Sequence, residues 1–142
     1  MVKKTVTYND FDGNSITKDF FFNLTKMEFR NIDKKIPGGL ENMLNEIRRD
    51  KNAEGFVDFL DMLILESYGE KSEDGRFVKF DPYGHRVSDY FKVTEAWDVL
   101  FLNLINNPNE LEEFLLGVVP KDASEAAKKA AENGELTRLP EA

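Results

Sequence analysis

The chain has 142 residues, 41% of them hydrophobic and 32% charged, which is enough for one domain around a single buried core and too apolar for wholesale disorder. It contains no cysteine, so disulfides, thiolate metal sites and a cysteine nucleophile are excluded, and the composition suits a reducing cytoplasm. With 27 acidic and 19 basic residues the formal charge is −8, which disfavours phosphate backbones and anionic lipid and leaves neutral or basic partners: no nucleic acid and no membrane.

No apolar run approaches the ~20 residues of a membrane span, and the start, Met1 to Thr5, is basic but runs into polar residues, with no signal peptide in view. Two β-forming runs, Thr5 to Tyr8 and Ser15 to Asn23, flank the turn-rich Asn9-Asp10-Phe11-Asp12-Gly13-Asn14, and together they predict a β-hairpin over residues 4–24. Alternation puts Val6, Tyr8, Ile16, Phe20 and Phe22 on one face. Thr5, Thr7, Thr17, Asp19 and Asn23 fall on the other, where Phe21 interrupts the polar pattern. A lone hairpin is only marginally stable, so this one must pack on helices or pair with another copy.

Thr25-Lys26-Met27-Glu28 has capping-box spacing and predicts a short helix towards Ile36. Pro37-Gly38-Gly39 then ends it and launches a second helix on Leu40, Met43, Leu44 and Ile47. Phe56, Phe59, Leu60, Leu63, Ile64 and Tyr68 make the most regular helical stripe in the chain. Residues 69–86 read as a long loop with room for one small hairpin. A short helix follows around Val87 to Phe91, and Thr94 can cap the next, which buries Trp97, Leu100, Phe101, Leu104 and Ile105. Asn107-Pro108 starts another, with Leu111, Phe114, Leu115, Val118 and Val119 opposite glutamates. Past Pro120 the residues are mainly Ala, Glu and Lys; Asp122 and Glu125 again have capping-box spacing, and Gly134 is a stop signal, so 121–142 reads as a C-terminal helix or a flexible tail. The expected class is mainly α, a helical domain with an N-terminal β-hairpin as its minor α+β component.

Reactive constellations are scarce. His85 is the only histidine, and no nucleophile or carboxylate recurs around it at a telling spacing. Asp10-Phe11-Asp12-Gly13-Asn14 opens like a calcium loop but fails the template: counted from Asp10, Ser15 stands where glycine is required and Phe21 where the bidentate glutamate should be. Gly38-Gly39 at a helix start has no Walker lysine after it, and Glu54, Asp58 and Asp61 lack a facing Glu/His helix. Catalysis, cofactor and metal are therefore all expected to be absent. The chain carries twelve phenylalanines. Phe11, Phe21, Phe80 and Phe91 belong to none of the stripes; with Trp97, Phe101 and Phe114 from the helices they are the candidate protein contacts.

The order of these segments resembles the tail assembly chaperones of long-tailed, siphovirus-type phages and prophages of Gram-positive bacteria. The resemblance rests on Thr17 to Glu28, Gly38-Gly39-Leu40-Glu41, Leu65 to Phe77, Thr94 to Phe101 and Leu115 to Pro120. It makes residues 1–120 a single chaperone-like domain, with helices within 25–68 and 87–119. It implies a non-enzymatic protein, several copies of which bind the tape-measure protein, keep it soluble and help tail-tube subunits polymerise around it. It also implies action in the host cytoplasm, absence from the mature virion and, in many members, a frameshifted longer form. Phe80-Asp81-Pro82-Tyr83-Gly84-His85-Arg86 and the Ala-rich tail depart from the family pattern. The competing expectation is a structural virion protein, a tail-tube or tail-completion subunit.

Overall fold

The computed structural model describes residues 1–50 and 54–138. Strands β1 (Val2–Asn9) and β2 (Ser15–Phe22) pair antiparallel from Val2↔Phe22 to Asn9↔Ser15. Their alternation sorts the side chains as the hairpin reading expects. Val6, Phe20 and Phe22 are buried on the inner face, while Thr5, Thr7, Thr17 and Asp19 stay exposed on the outer one. There the Thr5 hydroxyl donates to Asp19 at 2.6 Å and the Thr7 and Thr17 hydroxyls lie 2.8 Å apart, cross-strand pairs worth roughly 0.2–1 kcal/mol each.

Helix α1 (Lys26–Asp33) begins with the capping box: the Glu28 amide donates to Thr25 Oγ1 at 3.2 Å and the Thr25 amide to Glu28 Oε1 at 2.9 Å. The chain reverses at Gly38 and Gly39, whose φ of 76° and 75° a side chain would strain. Asp33 accepts the Leu40 amide at 2.8 Å at the head of α2 (Gly39–Asp50), which buries Leu40, Met43, Leu44 and Ile47 completely. A 3₁₀ turn at Glu54–Phe56 leads into α3 (Val57–Ser67), which buries Leu60, Leu63 and Ile64.

Beyond α3 the mainly α expectation fails. Tyr68, expected as the last member of the α3 stripe, turns extended (φ −65°, ψ 138°) and opens β3 (Tyr68–Lys71). β3 pairs with Phe21 and Phe22 of β2 on one side and with β4 (Phe77–Val78) on the other. The lone hairpin is thus half of a four-stranded antiparallel sheet in the order β1-β2-β3-β4, and the fold is mixed α+β. The physical reason is tertiary. Tyr-Gly-Glu-Lys carries no alternation of its own, but Gly69 opposite Phe21 leaves space for the Phe77 ring, which would sit 2.6 Å from a Cβ at that position.

Helices α4 (Val87–Lys92), α5 (Glu95–Asn106), α6 (Pro108–Val118) and α7 (Lys121–Arg138) complete the described residues, and the last four positions of the expected 121–142 tail lie outside them. Thr94 precedes α5 as expected, but its hydroxyl donates back to the Phe91 carbonyl at 2.7 Å and caps nothing. α7 starts one residue before Asp122, runs through Gly134, and packs on α2 and α6. The inner face of the sheet meets α4, α5 and α6 through linked aromatic rings. Phe91 stacks on Tyr68 at 4.5 Å and meets Phe20 at 5.0 Å and Trp97 at 5.8 Å, while Phe22 meets Phe114 edge-on at 5.3 Å.

Candidate protein-interaction surfaces

The seven candidate aromatics separate into three groups, buried, half-buried and exposed. Phe91, Trp97 and Phe114 are core residues, so any part they play in a contact is indirect. Phe101 is half-buried against Trp97, ring centroids 5.1 Å apart. Phe21 is half-buried on the outer face of the sheet under the Lys71 ammonium, 4.3 Å from its ring centre, a contact worth about 0.5–1 kcal/mol. Phe11 and Phe80 are the ones that face solvent, 88% and 52% exposed.

Phe11 sits at the tip of the β1–β2 hairpin. The Asp10 carboxylate accepts the amides of Asp12 at 3.0 Å and Asn14 at 2.8 Å, and Gly13 takes φ 82°, so the acidic run that mimics a calcium loop spends its first carboxylate on its own turn. Among the described residues no cluster of three or more metal-ligating side chains occurs. Asp61 lies 3.7 Å from Lys92, and the Glu54 side chain is outside the described residues. The tip therefore presents one large ring on a braced turn. Alongside it, among the described residues, β1 has a strand on one side only.

Phe80 marks the second surface, where a bridge to Arg86 closes the 80–86 loop. Asp81 organises that loop, accepting the amides of Tyr83 and His85 at 2.9 Å each and the Tyr90 hydroxyl at 2.8 Å; His85 Nδ1 lies 3.3 Å away. Partial desolvation pushes the Asp81 pKa up, but these hydrogen bonds outweigh it and bring it down to about 2. His85 is thus a brace of the loop, its amide and its ring both turned to Asp81. The Arg86 guanidinium stacks 5.1 Å over the Phe80 ring and reaches Glu66 at 3.0 Å. Tyr83 and Tyr90 are exposed on the same loop and helix start, and the sequence reading missed both. An apolar ring inside the Pro82-Tyr83-Gly84 turn was the available signal.

Lys79 ties this loop to the residue after β2 and to α1 and α3. Its ammonium donates to the carbonyls of Asn23 at 2.7 Å and Glu66 at 2.9 Å and to both Glu28 oxygens at 2.8 and 2.9 Å. Burial tends to raise the Glu28 pKa, but the hydrogen bonds from Lys79 and the Thr25 amide and the Lys79 charge overcome it, so the net shift is downward.

A family model described as phage tail assembly chaperone matches residues 1–142. The chain belongs to that family. No curated protein and no solved structure matches it significantly. Chaperones of this family are in general non-enzymatic and act on protein partners in tail assembly inside the host cell, which is consistent with surfaces built from aromatic rings and braced turns. Among the described residues no helix is long and apolar enough to cross a membrane.

Proposed function

We propose that this tail assembly chaperone binds the tape-measure protein, keeps it soluble in the host cytoplasm and promotes polymerisation of the tail-tube protein around it, leaving before the virion is complete. The observation that carries the reading is the presentation of Phe11 and Phe80 on separately braced turns while most of the other rings are spent on packing. Rigid aromatics lose little entropy on binding, and an unsheathed tape measure offers apolar helical stripes to receive them. The working form is a homo-oligomer, to which a frameshifted longer form can contribute.

Co-expression with the tape-measure protein tests this. Its soluble yield should rise several-fold, and the gain should disappear in a Phe11→Ser/Phe80→Ser variant whose far-UV spectrum is native. Unchanged yield with the native chaperone would refute the proposal. The second reading, a tail-tube or tail-completion subunit, is favoured by the eight-residue β1 edge, which could join neighbouring copies. Stoichiometric chain in the mass spectrum of purified particles would support it; absence would support the chaperone.

A further inference from the structure

We infer that α7 is an internal placeholder in a helix-binding groove on α2, and that an amphipathic helix of a partner protein displaces it. α2 turns four large apolar side chains inward, and α7 and α6 both lie along that helix. What α7 offers over Lys121 to Ala130 is small: Ala127 is buried, Ala123, Ser124 and Ala130 are partly so, and the remaining side chains are exposed. Methyl groups leave the seat underfilled. At the head of α2 a cleft of about 350 Å³ remains between the helices, lined by Phe29 and Asp33 of α1, Leu40 and Glu41 of α2, and Ala123, Ala126 and Ala127 of α7. The ion pair from α7 to α1, Lys26–Asp122 at 3.5 Å, has both side chains at least 80% exposed and holds little.

The groove therefore has the shape of a helix receptor, because it already seats a helix, but its occupant is a poor fit. A better occupant carries leucine-sized side chains at i, i+3 or i+4, and i+7 to fill the cleft, and basic residues on its flanks to meet Asp33 and Glu41. The identity of the natural helix rests on the tape-measure reading. The opening of α7 does not.

The test uses the full chain and a designed helical peptide with leucine at those spacings and lysine elsewhere, alongside a control with serine replacing leucine. Amide hydrogen exchange should accelerate at least tenfold over Ala123 to Ala130 with the leucine peptide, while α2 gains protection, and the serine peptide should do neither. Ala127→Glu, which places a charge in the buried seat, should tighten peptide binding about tenfold. Ala126→Leu, which fills the cleft from α7, should weaken it by a similar factor. Peptide binding with α7 exchange unchanged, or no peptide binding at all, would overturn the inference. If Ala127→Glu fails to fold, unaltered affinity in Ala126→Leu overturns it alone. A tape measure that is solubilised without any change in α7 exchange would leave the chaperone reading standing and remove this one, and accelerated exchange without tape-measure binding would do the reverse.

Discussion

Replacing Lys79 by methionine keeps most of the side-chain volume and removes the ammonium that four oxygens share. Lys79 is only 11% exposed, so water cannot readily take its place. The carbonyls of Asn23 and Glu66 each lose a charged donor, and Glu28 loses its counter-ion while keeping the Thr25 amide. Breaking a buried pair from one side costs about 3–5 kcal/mol. Glu28 is 30% exposed and still hydrated, which lowers the expectation here to about 2–4 kcal/mol. At a few degrees per kcal/mol for a chain near this length, Tm should fall by roughly 5–12 °C. Urea titration read by the fluorescence of Trp97, the single tryptophan, measures the loss directly. A cycle with Glu28→Gln isolates the pair, whose coupling should exceed about 1 kcal/mol. A loss below about 1 kcal/mol, or no coupling, would show that water or backbone relaxation replaces the clamp and that the reasoning is wrong.

Phe91→Ala empties the point where Phe20, Phe22, Tyr68 and Trp97 converge, and should cost about 3–5 kcal/mol with a red shift of Trp97 emission; a loss under 1 kcal/mol would mean the rings close the gap. Gly69→Ala drives a methyl into the Phe77 ring and should cost about 1–3 kcal/mol by the same titration, whereas an unchanged midpoint would mean Phe77 swings away freely. Acid should also destabilise the fold. Glu28 titrates below its ordinary 4.5, and Asp74 and Asp81 at about 2 instead of 3.8, so their contribution is complete above the unfolded values and is lost as pH falls from about 4.5 to about 2. Urea midpoints at stepped pH should decline across that window, and Asp81→Asn should flatten part of the decline.

The features legible from the amino acids were those fixed within a few residues of one another. The Asp10 turn, the Thr25–Glu28 box, the Gly38-Gly39 reversal and the α2 stripe each depend on local geometry, and each stands where its residues place it. β3 was not legible. Its partner is β2, more than forty residues earlier, and Tyr68 keeps helical spacing up to the point where strand pairing overrides it. The same limit applies to the surfaces. Phe11 and Phe80 stood out because no stripe claimed them, and they are exposed; Phe91 was equally unclaimed, yet it is buried. α4 has only six residues, too few for a period to declare which side faces inward, so only its neighbours decide.

How the packing is distributed bears on how such a chaperone can take hold of a partner and let go. On the sheet side, large rings interlock between β2, β3, α4, α5 and α6, and Lys79 fastens the loop that follows, so opening this half would cost most of the fold's stability. On the α2 side the outermost layer is a helix that contributes, over Lys121 to Ala130, mainly alanine methyl groups. Local opening follows the cheapest layer, and a layer of methyl groups detaches at far lower cost than one of aromatic rings. Exchange of partners should therefore proceed by movement at α7 while the braced tips carrying Phe11 and Phe80 keep their shape. Binding that left α7 fully protected but loosened the sheet would contradict that ordering.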